Sequence, residues 1–513
     1  MRVCRSCWPC GWAPESRAYG LLAVVFVLSR LGYYLLGVRF DSRPIQHYFQ
    51  FIDPELLKHR LMESMYYLHV QPPGWNLYIG TFLKLFPNFY PVAFHCVHLA
   101  LGLVTCWLAF YLMRILGVSR AIAFTLAAWF IISPGVVLFE NLLLYEYVVG
   151  FLLIAAAAAL WRYASSGSAR WIFVFFTLLL ALVFVRNFFH LIYVVAILAA
   201  LVYLFKGRRK SVLLTAALPL LIIAGLYTKN WVLFGTFSGS TWLGMNMDTI
   251  TSHQLTEREA RDLISRGVIS PVALLDIGTP IELYRPYIQT PARTGIPVLD
   301  DCVTSTGATN FNCLAFRQIQ HIYTRDGLAL LRTYPVVYLR SFEAAWFTYF
   351  LPTGDFPSFD LNRPRIRAID RFCNVVFFGQ FKDASDRKNL RRLADHGARV
   401  ALVFHTGTFL MIGLPALWIW GVVYLVRGVR RGVLDRASAI LLGFLLFNIG
   451  YVTAIANLLS SFENNRYRFP IDAFYLALLG LAIEKLIRRY GTATACSGVV
   501  VTTLPLPSNR STT

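Results

Sequence analysis

Apolar stretches long enough to cross a bilayer recur about ten times along this chain, and no soluble fold hides that much continuous hydrophobic sequence. A spanning helix needs roughly 17–25 mostly apolar residues. The stretches Tyr19–Val38, Pro91–Met113, Ala121–Leu138, Leu144–Leu160 and Trp171–Val185 meet or approach that length. So do Phe189–Phe205, Val212–Trp231, Val400–Val426, Ala437–Leu459 and Phe469–Ile487. The fourth to sixth are short or nearly continuous with one another. Hydrophobic residues make up 57% of the 513, and the mean hydropathy is +0.55. The expected fold class is therefore an all-α polytopic membrane protein.

A formal charge of +21 raises the question of nucleic acid. Its distribution excludes that partner, because the basic residues are broken into short clusters at helix ends. With the N-terminus inside (Arg2, Arg5, Arg17), the clusters Arg114 and Arg120, Arg162 and Arg170, Lys206–Lys210, Arg427–Arg436 and Lys485–Arg489 all fall on the inner side. That is the positive-inside pattern, which anionic lipid strengthens. Arg39 and Arg43 fall outside but are outnumbered. The first stretch is too long for a cleaved signal peptide, carries Arg30 and lacks a small-x-small site, so it is kept as a helix.

Two outer segments are sizeable. Arg39–Tyr90 contains FIDPELLKHRLMESMYYLH, in which Leu56, Leu57, Leu61, Met65 and Leu68 recur at helical spacing among Lys58, Arg60 and Glu63. This predicts amphipathic helices lying in the membrane interface, ended by Gln71–Pro73 and followed by a half-buried helix near Trp75–Leu85. Val232–Arg399 is an extracytoplasmic insertion whose LALLRTYPVVYLRSFEAAWFTYFLP carries Arg332, Arg340 and Glu343. That makes it a surface helix kinked at Pro335 rather than a span. The expected organisation is thus a membrane module at 1–231 with its first outer loop at 39–90, the insertion at 232–399, C-terminal membrane helices at 400–487, and a disordered cytoplasmic tail at 488–513. Cys302 and Cys313 share the insertion, where a disulfide is permitted. Cys4, Cys7 and Cys10 have zinc-like spacing but lack a fourth ligand, so palmitoylation or no role is preferred.

Charge near the bilayer centre costs about 2.5–3.5 kcal/mol, so the positions of ionisable groups are informative. Asp41, Glu140, Glu146 and Arg186 sit at outer helix ends, as do Glu463, Arg466 and Arg468 in the turn before the last stretch. Asp41 taken alone reads equally well as a solvated loop acid. Arg186, in VFVRNFFHLIYVV, has almost no loop in which to be solvated and so needs a carboxylate or phosphate partner. Snorkelling arginines are the plainer reading of the ENNRYRF turn. A phosphate held by Arg186, Arg466 or Arg468 beside one carboxylate suits sugar transfer from a polyprenyl-phosphate donor. Phosphate is already a competent leaving group, and a single base suffices for the acceptor hydroxyl. No dinucleotide fingerprint, P-loop, HExxH or Ser/His/Asp signature is present.

Three passages, RFD at Arg39–Asp41 with HVQPP at His69–Pro73, FENLLLYEY at Phe139–Tyr147 and FENNRYRFPID at Phe462–Asp472, give the chain a layout that resembles the GT-C superfamily of membrane glycosyltransferases. That superfamily includes the protein O-mannosyltransferases and the aminoarabinose transferase of lipid A. The resemblance spans most of the membrane module and implies a GT-C-like fold moving a hexose or pentose. It implies Asp41 as base, with Ser42 standing where a second acid is usual and Asp53 or Glu55 as the alternative. It further implies Arg186, Arg466 and Arg468 at the donor phosphate, with Glu140, Glu146, His69 and Glu463 lining an acceptor or sugar pocket. Some members bind a divalent metal; nothing in these residues requires one. The partners implied are a polyprenyl-phosphate-linked sugar, a glycan, lipid or protein acceptor, and membrane lipids. Lacking an N-x-S/T sequon, the outer segments lean toward a plasma (inner) membrane rather than the endoplasmic reticulum.

Two other readings stay open. A transporter or flippase of lipid-linked saccharides would line both halves of a pathway with charge, whereas one-sided clustering favours an enzyme. A catalytically inactive scaffold would be favoured by Asp41 pairing internally with Arg39 or Arg43.

Overall fold

The computed structural model describes residues 12–382, 406–461 and 463–497. The three N-terminal cysteines, the start of the Val400 stretch and residues 498–513 lie outside the described residues. What is described is helical, with two isolated β-bridges and no longer strand.

The chain is an integral multi-pass membrane protein. Among the described residues, six helices are long and apolar enough to cross a bilayer: Glu15–Leu35, Tyr90–Ile115, Tyr145–Ser166, Lys206–Phe234, Thr408–Arg430 and Arg436–Leu459. The other four of the about ten expected stretches are helical as well. Ala121–Leu138 is a broken pair, Arg120–Ile132 and Pro134–Glu140, bent by 55°. Pro134 causes the break, since it pushes Ser133 into extended geometry and cannot donate to the helix ladder. Ala169–Val185 and Leu191–Leu204 are shorter apolar helices. Phe469–Ile487 lies on a 3-10 turn and the helix Asp472–Ser497, which carries Glu484, Lys485 and Arg488 in its second half. That helix also shows that the expected disordered tail is helical as far as Ser497.

The basic helix ends meet one another, as the charge pattern requires. Arg114 pairs with Glu15, the Ser119 amide donates to Glu484, Gly167 abuts Arg208, and Arg436 donates to the Leu204 carbonyl. Around the opposite ends, the first outer segment and the insertion pack together. The amphipathic stretch forms Pro54–His59 and Leu61–Tyr67, burying Leu57, Leu61, Met65 and Leu68. The helix Pro73–Leu85 follows Pro72. In the insertion, Leu314–Thr333 and Val336–Tyr349 are separate helices, broken where Pro335 predicts.

One small apolar cluster, Leu263, Ile269, Leu330 and Val337, is the insertion's own, but a larger one is shared. The shared cluster, including Trp242, Met245, Phe311 and Phe316, takes in Val70 and Phe49 of the first outer segment. A disulfide between Cys302 and Cys313 closes a loop that staples the two together. From this loop Ser305 donates to Asp53, Thr306 donates to the Gln46 carbonyl, and the Asn312 side chain accepts from the His69 and Val70 amides. Gly244 has a packing reason: a Cβ there would sit 2.1 Å from the Gln320 carbonyl oxygen, so no other residue permits the approach of these helices.

Glu259 clamps the kinked pair from below. It accepts two bonds from Arg340, each 2.9 Å, and one of 2.7 Å from Tyr334. The Arg340 hydrogen bonds hold its carboxyl down at about 2. Because the folded value is depressed, this contribution is complete above the ordinary glutamate range and is lost as pH falls from about 4.5 toward 2. Allowing for partial exposure, Glu259→Gln should cost about 2 kcal/mol at neutral pH. Thermal unfolding in detergent should show the wild-type advantage shrinking as pH drops through that window.

Candidate functional site

A buried polar cluster lies where three helix ends meet. Arg186 terminates the helix Ala169–Val185, Glu146 sits in the first turn of Tyr145–Ser166, and Arg466 belongs to the short turn helix Asn464–Arg468. Glu146 Oε1 accepts from Arg186 Nη1 at 2.8 Å and pairs with Arg466 Nε at 3.0 Å, while Oε2 has no hydrogen-bond partner. Arg466 is fully buried; it also pairs with Glu463 at 2.7 Å and donates to Tyr48. Two guanidinium groups around one buried carboxylate need further compensation, and aromatic faces supply it. Arg186 lies 4.3 Å from the Tyr145 ring centroid, 4.8 Å from Phe188 and 4.9 Å from Tyr467.

This cluster opens onto a cavity of about 980 Å³. Arg186, Asn187, His190, Glu463 and Tyr467 come to it from the helix ends, and His47 and Gln50 from the first outer segment. The insertion contributes Ser240, Trp242, Asn246, His253, Asp276 and Thr309, among others. Among the described residues Arg186 donates hydrogen bonds through Nη1 alone, leaving its Nε and Nη2 donors unspent there. An arginine with a vacant edge, gripped by aromatics at a cavity rim, is built to receive an oxyanion.

The remaining expected site residues lie elsewhere, so the single pocket foreseen from sequence is corrected to separate clusters. Asp41 is buried and does not line this cavity. Its backbone pairs with Asn141 and Leu143, and its carboxylate is held by Arg43 at 2.7 Å, which also reaches Asp360. Glu140 is completely buried in a two-bond pair with Arg30, at 2.8 and 2.7 Å, and accepts from Tyr147 at 2.7 Å. Arg468 donates to the carbonyls of Tyr349 and Leu351 and to Asp472, fastening the last helix to the insertion. Asp53 caps the helix Pro54–His59 and holds Ser305.

His69 is another structural pin. Its Nε2 lies 3.0 Å from the Asn312 carbonyl and its Nδ1 2.8 Å from the Thr241 hydroxyl. A carbonyl only accepts, so Nε2 carries the proton and Nδ1 accepts from Thr241. Burial pushes the ring down to about 3, keeping it neutral. Among the described residues, no group of three or more His, Cys, Asp or Glu could hold a metal ion.

His253 and Asp276 lie in short stretches without periodicity, so no pattern marks them in advance. Arg30, by contrast, stood in an apolar helix and signalled an acidic partner. Replacing that partner, Glu140→Gln, should strand Arg30 and cost about 3–5 kcal/mol. A Met pair at both positions should recover most of the loss, as read by thermal unfolding in detergent.

No family model matches the chain, and no curated protein sequence matches it. Among solved structures it is similar to the archaeal oligosaccharyltransferase AglB from Archaeoglobus fulgidus, solved with an inhibitory peptide and a dolichol-phosphate. The likeness covers 97% of this chain and 53% of that one, at 12% identity and a TM-score of 0.39. The chain thus spans about half the length of that enzyme, and a likeness at this level assigns neither fold nor activity.

Proposed function

We propose that this protein is a GT-C-type glycosyltransferase that moves a hexose or pentose from a polyprenyl-phosphate donor to an exported or lipid-linked acceptor at the extracytoplasmic face, in a plasma (inner) membrane. The observation that carries the reading is Arg186, 6% exposed, with two unspent nitrogens at the rim of a cavity built from membrane-helix ends and an outer insertion. A donor with its isoprenoid tail in the bilayer presents its phosphate at that depth. Arg186 then stabilises the charge that develops as the phosphate departs. Arg466, spent on Glu146 and Glu463, holds the cluster in place behind it.

The cavity is large enough for a saccharide and mixes aromatic with amide and hydroxyl groups, as ligand sites do. The Cys302–Cys313 bond supports an oxidising compartment for the insertion. One-sided placement of the cavity favours transfer over transport. The reading leaves Asp41 out, since its carboxylate is paired with Arg43 and it does not line the cavity.

Binding of polyprenyl phosphate to the full-length protein in liposomes tests this reading. Losing a charge-assisted pair of about 1.5–3 kcal/mol should make Arg186→Ala bind roughly 10- to 100-fold more weakly. Asp41→Asn should stay within about twofold of wild type. Equal affinity in wild type and Arg186→Ala would end the proposal.

A further inference from the structure

We propose that His253, oriented by Asp276, is the general base that takes the proton from the acceptor hydroxyl; this rests on the glycosyl-transfer reading above. The lining carboxylates of the cavity are Glu463 and Asp276. Glu463 is committed to Arg466 at 2.7 Å, and neither Asp41 nor Asp53 reaches the cavity. Three histidines do reach it: His47, His190 and His253. Among the described residues, only His253 of these stands beside a carboxylate, with Nδ1 3.7 Å from Asp276 Oδ1.

Both members of the dyad are held by their surroundings. His253 lies on the turn Ser252–Gln254. The Gln254 side-chain amide donates to the Thr249 carbonyl at 2.8 Å and to Ser461 at 3.1 Å, and Ser461 donates to the same carbonyl at 3.1 Å. That strap fixes the histidine's turn to the segment leading into Glu463 and Arg466, so base and phosphate site share one frame. The Asp276 backbone is anchored by Tyr284, whose hydroxyl donates to its carbonyl at 2.9 Å. Its carboxylate is 86% exposed and free to close the remaining gap when the cavity fills. Such bonds are often long before substrate binds.

With the Nδ1 proton directed at Asp276, Nε2 is the basic nitrogen. As the acceptor oxygen bonds to the anomeric carbon, its proton passes to Nε2. The bond from that carbon to the phosphate oxygen breaks, and the electron pair leaves with polyprenyl phosphate. The imidazolium then returns the proton to water. His253 is the catalytic residue and Asp276 a positioning residue.

The test uses full-length protein in liposomes with a panel of polyprenyl-phosphate-linked hexoses and pentoses. Water serves as acceptor, released sugar is the rate readout, and polyprenyl phosphate binding is measured in parallel. His253→Asn should cut release by about 100-fold or more with affinity within about twofold of wild type. Release within about threefold of wild type, or loss of polyprenyl phosphate binding, overturns the assignment. Asp276→Asn, at an exposed position, should lower turnover about tenfold at unchanged donor KM, with Asp276→Glu restoring it. Unchanged turnover in Asp276→Asn overturns the dyad. Wild-type protein that neither binds polyprenyl phosphate nor releases sugar overturns the glycosyl-transfer reading as well. Failure confined to the His253 and Asp276 variants overturns the dyad alone.

Discussion

A single buried carboxylate, Glu146, lies between two arginines from segments 40 and 320 residues away, and the outer end of the helix bundle is organised around it. Burying three ionised groups is tolerable only when their geometry is fixed and their remaining faces are covered. Tyr48, Tyr145, Phe188, Phe356 and Tyr467 provide that cover, and they come from the first outer segment, two helix ends and the insertion. Arg186 is held at its orientation by the same contacts that hold the bundle end together.

Much of this was readable before any coordinates. Apolar length marked every membrane helix, because lipid leaves the backbone no alternative to a helix. Proline marked the break at Pro335 and the start of the Pro73 helix, whereas Ala121–Leu138 was read as one stretch across Pro134. Arg186 was conspicuous because its flanks leave it unsolvated, and it does have the carboxylate partner that reasoning demanded. The convergence of Asp41, Glu140 and Arg186 on one pocket was not realised. Asp41 found Arg43 two residues away, and Glu140 found Arg30, a helix-interior charge whose need for a partner outweighed any other use of that acid. The insertion's share of the cavity was illegible. Thr249 lies at the end of a helix of eight residues, and His253 and Asp276 sit in short turns, where neither period nor capping signals register.

The insertion and the first outer segment, separate in sequence, behave as one cap. His69 and Asn312 interlock across it, Ser240 donates to the Val70 carbonyl, and the apolar cluster behind the cavity is drawn from both. An amphipathic segment expected to rest on lipid thus spends its inner face on protein. The membrane interface is left to residues such as Met62 and Tyr66, which remain exposed.

The Cys302–Cys313 bond gives the molecule a biogenesis checkpoint. Gly307, Ala308 and Thr309, at the tip of the loop it closes, form part of the cavity rim. Thiols reach a lasting disulfide only in an oxidising milieu. On the topology proposed above, a newly inserted chain finishes its rim after the insertion has been delivered across the bilayer. A copy threaded in the opposite orientation would keep an open rim, which couples competence of the site to correct delivery.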